Sequence, residues 1–315
     1  MQDDAPIMPV EAKPFVSVSI GLAWIVLYIV LIAPVFLFSA FGGERLGRVT
    51  WPGISPLFHG IVWIAGVLLI TWLVRVKLNK RSWSGMALPR LQLSRLALGG
   101  FAGLSLILII AAIEYELGWL HFVRIDTSMH RGVSKVLWAI LCLTPSLGVG
   151  VSEELGFRGY VFQTLGERMP VWVAALLMSI IFGLLHFTLS GFNAAFVISV
   201  MTISLMFLSF RFATGTLWFA IGFHGAWDWT ETYLVGLSTT GGGYDPALIQ
   251  ITQTGPAFWV GSQQATESGA LFILIVLCVL AIAITYATAV GRLPPLTRQL
   301  GAQRVAPMQA PQLTG

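Results

Sequence analysis

Apolar residues in this sequence do not alternate with polar ones. They gather into eight long runs, near 16–41, 54–74, 96–113, 136–166, 171–190, 192–210, 213–234 and 269–290, separated by polar stretches. A helix needs roughly 20 such residues to cross a hydrocarbon core of about 30 Å. The pattern therefore predicts an all-α, polytopic membrane helical bundle with about eight transmembrane helices. The fourth run is over-long and contains Pro145, which predicts a kink or a projection beyond the lipid. The first follows an acidic leader (Asp3, Asp4, Glu11) and is too long for a signal-peptide core, so it reads as a retained span.

Composition agrees with the pattern. The 315 residues are 56% hydrophobic and only 10% charged, with a mean hydropathy of +0.82. Soluble domains carry about 25% charged residues, and disordered chains are poor in apolar ones, so neither class fits. Cys142 and Cys278 both lie in apolar runs and read as small packing residues, not as a disulfide or a thiolate metal site. The net charge of +4 fits basic loops against an anionic membrane surface and implies no nucleic-acid partner.

Basic residues set an expected orientation. The N-terminal side and the even-numbered loops hold 13 Lys and Arg, against 5 on the opposite side. The positive-inside rule then places both termini in the cytoplasm of a multi-pass protein, expected in a bacterial cytoplasmic membrane. Residues 1–15 form a cytoplasmic segment, 16–290 the bundle and 291–315 a flexible cytoplasmic tail. The 231–268 connection has no Lys or Arg and is long for a connector, so an external cap or lid is expected. No internal repeat is visible, and oligomeric state leaves no trace in the sequence.

Charged groups in lipid are costly, which makes each one a functional hypothesis. Apart from His59 in the second run, they cluster. Glu153, Glu154 and Arg158 lie in the fourth run, His186 in the fifth, and His224, Asp228 and Glu231 in the seventh. Four-residue spacing lets Glu154 pair with Arg158, and His224 with Asp228, on one helical face. Glu153 points about 100° away from Glu154, toward a different neighbour. With a rise of about 1.5 Å per residue, Glu153, His186 and His224 all lie about 17–23 Å from the cytoplasmic ends of their runs. Three segments can thus contribute to one site.

The same residues carry a resemblance. Glu153-Glu154-Leu-Gly-Phe-Arg158 resembles the EExxxR motif of the CPBP family of CAAX proteases and bacteriocin-processing enzymes, also called Abi. Phe182-Gly-Leu-Leu-His186 is similar to its FxxxH motif, and His224-Gly-Ala-Trp-Asp228 to its HxxxN/D motif, in the family's order across 153–228. The resemblance implies an intramembrane endopeptidase acting on a membrane-associated peptide or protein. Glu153 would be the general base on a water, His186 would help hold that water, and His224 and Asp228 would stabilise the oxyanion. Glu154 and Arg158 would form a supporting pair, and Phe182 a packing contact.

Physical chemistry supports such a division of labour, because peptide hydrolysis needs a base for water and donors where negative charge develops. Asp228 stands where the CAAX enzyme has Asn; it must be protonated, orient His224 or coordinate a metal. Catalysis without a metal or other cofactor is the expectation. The alternative is zinc on Glu153, His186, His224 and Asp228, although no HExxH pattern is present. Two other functions compete: a proton or cation relay of a transporter, and a non-catalytic scaffold or bacteriocin-immunity protein. His59 reads as a structural histidine, His121 and His130 as external loop residues, and Glu231 as a solvated helix end.

Overall fold

In a computed structural model, the structure describes residues 14–186, 194–237, 247–261 and 266–301. Helices form at each of the eight apolar runs: α1 (Pro14–Val49), α2 (Ile54–Leu78), α3 (Leu93–Glu116), α4 (Lys135–Gly166), α5 (Val171–His186), α6 (Ala194–Thr214), α7 (Trp218–Trp229) and α8 (Ala270–Ala289). Among the described residues, six are long and apolar enough to cross a membrane: α1, α2, α3, α4, α6 and α8. Helix α5 has 16 residues and α7 has 12 before it passes into a π-helical turn, Thr230–Leu234. The architecture is the expected helical bundle, and among the described residues six of its eight helices reach the length a bilayer demands. Large apolar side chains such as Val26, Ile61, Phe101 and Ile282 are exposed on its flank. Lipid is the solvent such a surface requires.

Short strands add to the expected all-α fold. β1 (Leu120–Ile125) pairs antiparallel with β4 (Ile249–Gln253), and β2 (Met129–His130) pairs with β3 (Val133–Ser134) in a hairpin whose turn places Arg131 and Gly132 at positive φ. The 231–268 connection supplies β4, so its described part is tied to the α3–α4 connection. The 238–246 and 262–265 portions of the expected lid lie outside the described residues.

Hydrogen bonds knit the helix ends into two opposite faces. On one, the Leu217 amide donates to the Ala87 carbonyl at 2.8 Å, Val171 to Arg298 at 3.0 Å and Leu300 to Gly166 at 2.7 Å. The expected tail is therefore docked on this face over residues 291–301, while 302–315 lie outside the described residues. On the other face, Lys135 Nζ donates to Asp126 at 2.8 Å and Gln253 to Glu114 at 2.8 Å. The Lys135 ammonium, with Ser128, holds the Asp126 carboxyl well below the usual carboxylate range.

Glycines decide how closely α7 approaches its neighbours. A Cβ added at Gly99 would lie 2.0 Å from the Phe219 carbonyl oxygen, and one at Gly103 would lie 2.1 Å from that of Phe223. On the opposite flank of α7, a Cβ at Gly150 would meet the Ile221 carbonyl at 2.7 Å. Small residues let membrane helices pack backbone to backbone. Here they clamp α7 between α3 and α4 and so set its separation from the carboxylates of α4. Gly103→Val is expected to push α7 away from α3, lowering the apparent Tm in detergent and abolishing any His224-dependent activity. An unchanged Tm would show that this contact does not hold α7.

Candidate active site

Each of the three motifs is a contact between residues four apart on one helix. Arg158 Nη1 donates to Glu154 Oε1 at 3.0 Å, and both side chains are fully buried. His186 Nδ1 lies 2.8 Å from the Phe182 carbonyl oxygen. His224 Nε2 is 3.7 Å from Asp228 Oδ2. From Glu154 to Val161 the chain winds as a π-helix, inserted between the α-helical parts of α4. Such an insertion shifts the register of the side chains that follow it, and it occurs frequently at functional sites.

Contacts between helices then assemble the site. Glu153 Oε1 lies 3.8 Å from His186 Nε2, and its Oε2 lies 3.8 Å from His224 Nε2. One carboxylate thus faces two imidazoles from two other helices, and all three groups line a cavity of about 700 Å³. Asp228 lines the same cavity. The fold brings Glu153, His186, His224 and Asp228 together.

Protonation at the two imidazoles follows from their second nitrogens. The Phe182 carbonyl can only accept, so His186 Nδ1 carries a proton, and in the neutral ring Nε2 is left as an acceptor facing Glu153. His224 Nδ1 is 2.9 Å from Glu154 Oε1. Because Glu154 is paired with Arg158, it accepts there too, and the Nε2 edge of His224 is turned to the cavity. Glu154 is therefore more than the partner of Arg158: it bridges that guanidinium to His224. Spacing along one helix reveals Arg158 but carries no signal for a partner seventy residues away.

Aromatic rings complete the support. The Arg158 guanidinium sits 4.3 Å from the centre of the Phe182 ring and 5.1 Å from that of Phe207. Phe207, on α6, also stacks on His224 with centroids 4.6 Å apart and planes 15° from parallel. Cation–π attraction is strongest where the cation is desolvated, as it is here. Phe182 is thus both a packing residue and a platform for Arg158. Phe207 lies in an ordinary apolar run and gave no signal in the sequence. Arg211 adds a further constraint, donating to the Arg158 carbonyl and to Gln163 Oε1 at 2.8 Å.

Several expectations change. Glu231 is not a solvated helix end: it is buried, accepting from Trp227 Nε1 at 2.9 Å and Thr266 Oγ1 at 2.7 Å. Thr266 belongs to the 231–268 connection, and only the fold brings it to α7. Glu231 and Glu267 line the cavity, as do His59 and His130. His121 does stay on the exposed strand β1, where its ring meets Thr254 at 3.0 Å.

A zinc ion requires ligand atoms that converge to about 2.0–2.2 Å from one point. Among the described residues, no group of three or more His, Cys, Asp or Glu side chains is arranged to hold a metal ion.

No curated protein matches the chain. Residues 135–230, which contain α4 to α7, match the model of a family described as type II CAAX prenyl endopeptidase Rce1-like. That is the family of CAAX proteases that the three motifs resemble, and the chain is a multi-pass helical membrane protein carrying its sequence pattern.

Proposed function

We propose that this protein is an intramembrane endopeptidase that hydrolyses a peptide bond of a membrane-associated protein or peptide, with Glu153 as general base. The observation that carries the proposal is the placement of Glu153 between His186 and His224 at the cavity wall. A separation of 3.8 Å is too long for a direct hydrogen bond. It suits groups that act on a molecule lying beside them.

A water at Glu153 would donate one hydrogen to the carboxylate and the other to His186 Nε2, leaving an oxygen lone pair aimed at a substrate carbonyl. Glu153 takes the proton as the oxygen attacks, and the carbonyl π electrons move onto its oxygen. His224, as an imidazolium with Nδ1–H on Glu154, donates Nε2–H to that oxyanion. Collapse breaks the C–N bond, and Glu153 passes its proton to the leaving amine. Asp228, beside His224 Nε2, keeps the ring oriented. Every proton and electron pair is accounted for without a metal.

The test is the purified full-length protein in proteoliposomes, incubated with a library of membrane peptides and read by mass spectrometry. Cleavage by wild type, retained in the presence of a strong chelator and lost in folded His186→Ala and His224→Ala variants, is the expected result. Products that are identical in wild type and both variants would refute the assignment. Activity that disappears with chelator and returns with zinc would assign the reaction to the zinc alternative instead.

A further inference from the structure

The cavity reaches the face of the bundle that carries the β-strands. Its outer lining comes from Glu44 near the end of α1, Ser55 at the start of α2, His130 and Arg131 of the hairpin, Tyr233 beyond α7 and Glu267 before α8. A second cavity of about 300 Å³ shares Glu44, Ser55 and Arg131 with it and continues past Arg48 and Pro52. All of these belong to the face carrying the β-strands, opposite the docked 292–301 segment. Toward that opposite face, the way is filled. Residues 158–169 are buried without a break. Beneath them Arg75 pairs with Glu167 at 2.5 Å, with both side chains fully buried.

Charge distinguishes the two faces. The filled face carries Lys77, Lys80, Arg81, Arg90 and Arg95 around the α2–α3 connection, and Arg292 and Arg298 after α8. On the open face the basic residues are fewer and partly neutralised: Arg48 is paired with Glu44 at 2.7 Å and Lys135 with Asp126 at 2.8 Å. Lys and Arg near helix ends are retained on the cytoplasmic side.

From these two observations we infer that the active-site cavity is loaded from the extracytoplasmic face. On the peptidase reading, its substrate is a peptide segment presented there, on an exported or membrane-anchored chain. A lipidated tail on the cytoplasmic leaflet would meet the filled face.

Orientation can be measured without any turnover. In a Cys142→Ala, Cys278→Ala background, Arg131→Cys would report the cavity mouth and Arg90→Cys the opposite face. Sealed right-side-out vesicles are treated with a membrane-impermeant maleimide, before and after lysis. Full labelling of Arg131→Cys before lysis, and of Arg90→Cys only after it, is expected. The reverse pattern, or equal labelling of both, overturns the inference.

A second arm tests the route. Ser55→Cys, modified from outside with a bulky impermeant maleimide, should lose cleavage of a library peptide. Persistent cleavage after complete modification would show that substrate enters elsewhere. If wild type cleaves nothing, the peptidase reading fails, and the labelling arm still decides which face the cavity meets.

Discussion

Glu153→Gln is expected to remove peptide hydrolysis while leaving the bundle intact. The substitution keeps the size of the side chain but deprives the site of its proton acceptor. General-base catalysis contributes about 10²–10⁴-fold, and an amide cannot replace it. Loss should appear in kcat with little change in KM, because the group acts on water rather than on the bound peptide. Glu153 is not part of the buried Glu154–Arg158 pair, and its side chain is about a quarter exposed to the cavity, so the apparent Tm should stay near wild type. Hydrolysis at wild-type rate by a folded Glu153→Gln variant would remove Glu153 from the mechanism. A parallel fall in activity and Tm would make it structural.

The sequence displayed the polar residues of the site because lipid makes them rare. An apolar chain holding Glu153, His186, His224 and Asp228 leaves few explanations for them, and spacing of four along each helix reveals Glu154–Arg158 directly. What spacing cannot reveal is contact between helices. The bond from Glu154 to His224, the Phe207 ring between Arg158 and His224, and the Thr266–Glu231 bond all join distant segments. Glu231 illustrates the error that results. Its position near the end of an apolar run suggested water, but the strand-bearing connection folds over it and buries it.

Which of the eight helices cross the bilayer on their own is illegible in the sequence for a related reason. Apolar runs do not distinguish a helix bathed in lipid from one sheltered by others. Helix α7 is apolar, yet its 12 residues are clamped by glycine contacts between α3 and α4. Its apolarity serves burial inside the bundle rather than length across the bilayer. The same glycines explain why the site can exist at all: without a close approach of α7 to α4, His224 could not reach Glu154.

Arg158→Ala should be the most damaging single change. It deprives the buried Glu154 carboxylate of its guanidinium, and it empties the space between Phe182 and Phe207. Removing one member of a buried ion pair costs about 3–5 kcal/mol. That is a large part of the roughly 5–15 kcal/mol by which folded domains are stable, so a marked fall in apparent Tm and in yield is expected. Activity should vanish with the fold, which by itself would say nothing about chemistry. The double variant Glu154→Gln with Arg158→Met separates the two. Both charges are gone, the Met side chain can still lie between the rings, and the Gln carbonyl can still accept from His224 Nδ1. Much of the lost Tm should return, because a buried pair replaced by uncharged groups of similar volume is often no less stable. Hydrolysis should remain impaired, since a neutral amide holds the His224 ring but does not offset the charge of an imidazolium. A double variant as unstable as Arg158→Ala would show that packing, not the stranded carboxylate, is what Arg158 protects. One that recovered both Tm and kcat would show that the charge of Glu154 takes no part in the reaction.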